Sequence, residues 1–168
     1  MVHSATKWID GQGRVLGGAV VGKKELIHDI YLFCRSTGPS LSPFNAWVLS
    51  KSLETLEVRM ERHGKSAFSI AQKLEGHAKI NFVKYPFLAS HPHHAIAVKQ
   101  MKNGGGIVCF ELKGGLEAGR QFLNQLKMLS LTANLGDSRS IASHPASTTH
   151  AKLSEAERQA VGITPGLI

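Results

Sequence analysis

Residues 3–14 read HSATKWIDGQGR, from His3 to Arg14, and continue as VLGGAVVG to Gly22. One lysine, Lys7, stands among two hydroxyl residues, Ser4 and Thr6, just ahead of a glycine-rich run. A lysine that forms a Schiff base must lose its proton, so it needs surroundings that disfavour the ammonium. Hydroxyls beside it can donate to a phosphate, and the glycines let backbone come close to a bound group. The same residues also suit a surface lysine in a glycine-rich turn. Ser-x-Thr-Lys is short, and its local chemistry leaves both readings open.

Working outward, the glycines at 11, 13, 17, 18 and 22 punctuate a strand, a loop and a second strand. Leu26, Ile27, Ile30, Phe33 and Cys34 then share one helical stripe over residues 23–35. Gly38 and Pro39 break it, and Ser42-Pro43 starts another helix, because serine caps free N–H groups and proline suits the first helical position. Leu49, Leu53, Leu56 and Met60 repeat at helical spacing, and Gly64 is placed to end this long helix before a second one over Lys65–Glu75. Phe44 and Trp47 read as core. Beyond lie expected strands at Lys79–Val83, Gly106–Leu112 and Met128–Ala133, with helices at His93–Met101, Leu116–Leu126 and Ser154–Ala160. The alternation predicts an α/β chain with helices on one side of a small sheet.

Composition bounds the function. The chain has 168 residues, 42% hydrophobic and 19% charged, as an ordinary soluble globular protein does. No apolar run approaches the ~20 residues that span a bilayer, and Met1–Lys7 lacks a signal-peptide layout, so a cytoplasmic protein is expected. The net charge of +8 is scattered. Its densest stretch, Arg59 to Lys65, is interleaved with Glu54, Glu57 and Glu61 nearby, which reads as a solvated helical face and argues against nucleic acid. An anionic small molecule fits this balance better. Cys34 and Cys109 sit in apolar patterns and read as buried free thiols. His91-Pro92-His93-His94 has no matching ligand cluster, so no metal is expected. Gly104-Gly105-Gly106 lacks the Lys-Ser/Thr of a phosphate loop and reads as a turn before a strand.

Three blocks in order carry a family resemblance: HSATKWIDGQGRVLGGAVVG (3–22), GPSLSPFNAWVLSKSLETLEVRMERH (38–63) and ANLGDSRSIASHPASTTH (133–150), with FELKGGLEAG (110–119) between them. Together they resemble the Cys/Met-metabolism enzymes that use pyridoxal 5'-phosphate (PLP), the trans-sulfuration family. The resemblance implies a fold-type I PLP-dependent transferase. Residues 1–60 would be the end of its large PLP-binding domain, with a long bridging helix, and 61–168 its α+β C-terminal domain. It implies that Lys7 holds PLP and moves the substrate Cα proton, that Ser4 and Thr6 bind the cofactor phosphate, and that Asn134 and Leu135 lie at the substrate. Asparagine also suits a purely structural turn there.

Several lyases and synthases of the family have serine where Asn134 stands. Asn134-Leu135-Gly136-Asp137, with Thr132 before and HPAST after, resembles the homoserine-ester sulfhydrylases, and WIDGQGR leans to the O-succinylhomoserine branch. The expected substrates are therefore O-succinyl- or O-acetylhomoserine and sulfide, giving homocysteine for methionine synthesis in a homo-oligomer. Cystathionine γ-synthase, γ-lyase, or a non-catalytic assembly remnant are the alternatives. Family members also use an aromatic that stacks on the cofactor, an aspartate at the pyridine nitrogen, and an arginine following TPGLI (164–168). The chain reads as cut at both ends, and a catalytically incomplete piece is the expectation.

Overall fold

The structure, a computed structural model, describes all residues from Met1 to Ile168. Its contacts divide into two units, Met1–Glu57 with Asn134–Ser138, and Val58–Ala133 with Arg139–Ile168.

In the first unit, β1 (Val2–Ser4) pairs antiparallel with β2 (Gly18–Val20), with Val2 opposite Val20 and Ser4 opposite Gly18. The chain between them is a compact loop carrying Lys7. Two helices follow, α1 (Lys24–Thr37) and α2 (Pro43–Leu53). The start of α2 is as its sequence dictates: Pro43 takes the first turn, and the Ser42 hydroxyl accepts from the Asn45 N–H at 3.4 Å. Gly38 ends α1 in the left-handed conformation, φ 89°, donating its N–H to Cys34 O. A small core gathers Ala5, Val15, Val48 and Leu49, with Ile9 against it. Leu49 packs so closely on Gly17 that a Cβ there would lie 2.6 Å from its Cδ1.

In the second unit, α3 (Leu56–Leu74) precedes an antiparallel pair, β3 (Ile80–Lys84) and β4 (Cys109–Leu112), with α4 (His94–Gln100) between them. The chain's final residues extend this pairing, because Leu167 bridges to Glu111, and Phe110 and Ile168 exchange backbone bonds of 3.1 and 2.8 Å. α5 (Gly115–Gln125) follows β4 directly. A short parallel pair, β5 (Ser130–Leu131) and β6 (Ile141–Ala142), leads to a 3-10 turn at Pro145–Ser147 and to α6 (Glu155–Ala160). α6 opens on a full capping box between Ser154 and Glu157. Ala67, Ala71, Tyr85 and Leu88 form the core. His144 is fully buried, its Nδ1 2.8 Å from Ser147 Oγ and its Nε2 2.7 Å from the Pro165 carbonyl. A bond from Nε2 to a carbonyl requires the proton on Nε2.

Several expectations change. Gly64 does not end a helix; the break falls earlier, at Glu54-Thr55, where the N–H groups turn back to Lys51 O and Ser52 O. Gly64 lies buried inside α3, and a Cβ there would meet the Asn103 side chain at 2.8 Å. Its glycine serves a close approach, while Tyr85 OH donates to its carbonyl at 3.2 Å. Phe44 and Trp47 are not core in this chain. They lean on each other at 6.1 Å between ring centroids but stay 64% and 60% exposed. α1 buries none of its residues, so the apolar stripe on it is likewise uncovered here.

Candidate active site around Lys7

The Lys7 loop is built from its own backbone. Lys7 N–H donates to Ser4 O at 3.2 Å, Asp10 N–H to Ala5 O at 2.8 Å, and Gly11 N–H to Lys7 O at 2.8 Å. Gly11 supplies the positive φ of 72° that lets the last of these turns close. Thr6 fastens the loop to the β2 approach twice over: its hydroxyl accepts from Gly17 N–H at 3.0 Å and donates to Gly17 O at 3.3 Å. The donated bond is the longer, and it is the one an anion would have to replace. Ser4, at the end of β1, is exposed.

Onto this loop comes a segment from far along the chain. Lys7 Nζ donates to Asn134 Oδ1 at 2.6 Å. Gly136 takes φ 88° and lies directly on the lysine peptide, where a Cβ would sit 2.5 Å from the Lys7 carbonyl carbon. Ser138 N–H then donates to Gly11 O at 2.7 Å. Lys7, Thr6, Arg14 and Asn134 line a cleft of about 290 Å³. Leu135 is exposed and not among its lining residues. Ser4 is not among them either.

Asp10 and Arg14 belong to the same loop, and the sequence reading passed over them. Asp10 is only 1% exposed. Its Oδ2 accepts Arg14 N–H at 2.6 Å and its Oδ1 accepts Arg14 Nε at 3.0 Å. Burial pushes the Asp10 carboxyl up, but the backbone N–H, side-chain bond and charge of Arg14, with the Val15 N–H, outweigh it and hold it below its ordinary value. The available signal was an acid and an arginine four residues apart in a glycine-rich loop.

The other titratable groups of note stand apart. A larger hollow of about 410 Å³ in the second unit, lined by Glu117, Arg120 and Thr148 among others, contains neither a lysine nor a histidine. His94 Nδ1 lies 3.2 Å from Pro86 O, and His91 Nδ1 accepts from His93 N–H at 3.2 Å, so these rings are occupied with local backbone. Gly104 is a packing glycine, because a Cβ there would meet the Tyr85 ring at 2.5 Å. Cys34 and Cys109 are free and only half-buried, and burial pushes the Cys109 thiol up despite the Lys84 charge.

A lysine on a tight loop with hydroxyls within three residues of it suits an aldehyde cofactor that carries a phosphate. The comparisons agree. The family model for the Cys/Met metabolism PLP-dependent enzymes matches residues 1–168, and the chain belongs to that family. Its cofactor is pyridoxal 5'-phosphate. Among curated relatives, an O-succinylhomoserine sulfhydrylase of Pseudomonas aeruginosa is 46% identical over 168 residues, covering 100% of this chain and 42% of the relative. An L-methionine gamma-lyase of Fusobacterium nucleatum is also 46% identical, over 170 residues, covering 100% of this chain and 43% of the relative. Among solved structures, a cystathionine gamma synthase of Xanthomonas oryzae, in complex with aminoacrylate and cysteine, superposes with a TM-score of 0.92 at 42% identity. It is matched over 99% of this chain and 43% of its own. A Campylobacter jejuni structure at TM-score 0.88 and 37% identity, matched over 99% of this chain and 48% of its own, carries a pyridoxyl-lysine phosphate. The chain thus spans less than half the length of these relatives. The fold-type I PLP-dependent α/β architecture expected from the sequence is the one these neighbours share.

Proposed function

We propose that this chain is the lysine-bearing portion of a homoserine-ester sulfhydrylase, which replaces the O-succinyl or O-acetyl group of an acylated homoserine by sulfide to give homocysteine. The observation that carries the reading is the 2.6 Å bond from Lys7 Nζ to Asn134 Oδ1. It sets the amine of the Lys7 loop against the residue on which the sequence reading separates sulfhydrylases from lyases.

Lys7 is the residue that would hold PLP, with Ser4 and Thr6 at its phosphate. PLP, when bound, draws electrons from the substrate and makes its Cα proton removable. The chain supplies the rest. Lys7 Nζ takes the proton at Cα and delivers it toward Cβ, and proton transfer by a placed group contributes about 100- to 10,000-fold. Asn134 fixes where that nitrogen points. The protein works as a cytoplasmic homo-oligomer. Residues 1–60 are the end of a PLP-binding domain and residues 61–168 a C-terminal domain.

A second reading has specific support, since the methionine gamma-lyase of Fusobacterium nucleatum is as similar as the sulfhydrylase. Elimination would then replace exchange with sulfide. The test has two arms. The chain is mixed with PLP, reduced with borohydride and mapped; selective modification of Lys7 is expected, and label spread over the surface lysines shows that no cofactor pocket survives in this chain. Product analysis with O-succinylhomoserine and sulfide, on the full-length protein, is expected to give homocysteine. A preference for cysteine with cystathionine as product, or for methionine breakdown, overturns the sulfhydrylase reading.

A further inference from the structure

Asp10 presents a problem that its neighbours solve in a particular way. Its side chain is fully buried, and a buried carboxylate is costly unless charge and hydrogen bonds compensate it. Arg14 compensates it with two N–H groups, one from its backbone and one from its guanidinium, at 2.6 and 3.0 Å. The same guanidinium reaches further. Nη2 donates to the Asp10 carbonyl at 3.0 Å and to Ser52 Oγ at 2.6 Å, and the Ser52 hydroxyl itself donates to Val48 O at 2.7 Å. A chain of bonds therefore ties the loop after Lys7 to the body of α2.

The residue next to Asp10 transmits this anchoring. Gly11 N–H holds Lys7 O at 2.8 Å, and Gly11 O holds Ser138 N–H at 2.7 Å. Gly11 is thus bonded on one side to the lysine and on the other to the segment that brings Asn134. If the loop at residues 10–14 opened, both bonds would lose their fixed partner, and the Asn134 amide would lose its register on Lys7 Nζ.

We propose that Asp10 and Arg14 are positioning residues for Lys7, a clasp anchored on Ser52 that holds the Asn134–Ser138 segment in place through Gly11. The inference rests on the reading of Lys7 as the cofactor lysine. Asp10 does not need to touch substrate, because it is enclosed and its charge is matched by Arg14.

The test is the rate and pH profile of Lys7 modification by PLP and borohydride in the 168-residue chain, with folding followed by circular dichroism on the same samples. Arg14→Gln and Asp10→Asn are expected to slow modification at Lys7 by about 10- to 100-fold, the range of losses that misplacing a reacting group produces. Their pH profiles should differ in shape from that of the unchanged chain. Because loss of a buried partner can unfold the loop, Ser52→Ala provides the milder variant: it leaves the Asp10–Arg14 pair whole and removes the anchor on α2, together with the Ser52 bond to Val48 O. It should slow Lys7 modification several-fold in a chain that melts normally, and Lys51→Ala, in an exposed ion pair on the same helix, should leave the rate unchanged. A folded Ser52→Ala chain with unaltered rate and profile overturns the clasp while leaving Lys7 as the cofactor lysine. Loss of selectivity for Lys7 in the unchanged chain shows that no cofactor pocket survives in it, which removes the reading on which the clasp rests.

Discussion

Lys7 Nζ and Asn134 Oδ1 meet at 2.6 Å although 127 residues of sequence separate them. The amide oxygen is a neutral acceptor: it orients the lysine nitrogen without supplying a charge that would lock a proton onto it. Asn134→Asp keeps the shape and changes that one property. A carboxylate at this distance favours the protonated, unreactive lysine. Modification of Lys7 by PLP and borohydride at neutral pH should therefore slow by about tenfold or more, the effect of one pH unit of displacement, with the optimum moving to higher pH. Rates measured from pH 6 to 10 decide it; an unmoved optimum would mean that the bond does not govern the amine.

Gly136 makes the second contact of this segment with the lysine, and two separate costs fall on any side chain there. Its φ of 88° is strained for an L-residue, and its Cβ would sit 2.5 Å from Lys7 C and 2.6 Å from Trp8 N, both backbone atoms that cannot swing aside. Gly38 isolates the first cost, because its φ is 89° and nothing lies within 4 Å of its Cβ position. Gly38→Ala should cost roughly 1–2 kcal/mol from backbone strain alone. Gly136→Ala should cost roughly 2–4 kcal/mol and also slow Lys7 modification. Urea melts of the two variants give the comparison, and equal losses would remove the close approach from the account.

Asp10 makes stability depend on acid in a defined direction. Its carboxyl is held below the ordinary value in the folded chain, so the unfolded state binds its proton first as pH falls. The stabilisation is fully present above about pH 4 and is lost as the pH drops through the lower, folded value. Asp10→Asn removes this contribution everywhere, leaving Arg14 without its counter-charge. Comparing urea midpoints at pH 7 and pH 3 should show the unchanged chain losing more on acidification than the variant does. Parallel losses in the two would show that Asp10 titrates alike in both states.

Much of this arrangement is legible in the sequence. Ser42-Pro43 and Ser154 announce helix starts through bonds that reach only three residues ahead, and local chemistry of that kind is written in local sequence. The lysine loop was visible as a motif, and Asn134 was singled out from its neighbours in the chain. That the two side chains touch was not, since it depends on Gly136 seating a distant segment on the lysine peptide. The stripe on α1 and the pair Phe44 and Trp47 show the reverse limit. Periodicity records that a face is apolar, and says nothing of what covers it. Asp10 escaped notice because an acid in a glycine-rich loop looks solvated until its burial is known.

Gly64 shows the same ambiguity within one residue, and it yields a prediction with an unusual sign. In an open helix, replacing glycine by alanine stabilises by roughly 0.5–1 kcal/mol. Gly64 is buried in α3, where a Cβ would come within 2.8 Å of Asn103 Cγ and Oδ1 and 3.2 Å of its Cβ. Asn103 cannot simply turn away, because its Oδ1 accepts the Gly105 N–H at 2.9 Å. Overpacking of this kind costs about 1–3 kcal/mol, so Gly64→Ala should destabilise the chain in spite of the better helix former. In an Asn103→Gly background, which also removes the Cβ at 3.2 Å, the obstacle is gone, and the same Gly64→Ala change should become stabilising. A double-mutant cycle by chemical denaturation reads the reversal directly. Stabilisation by Gly64→Ala in both backgrounds would mean that the glycine is not there for Asn103.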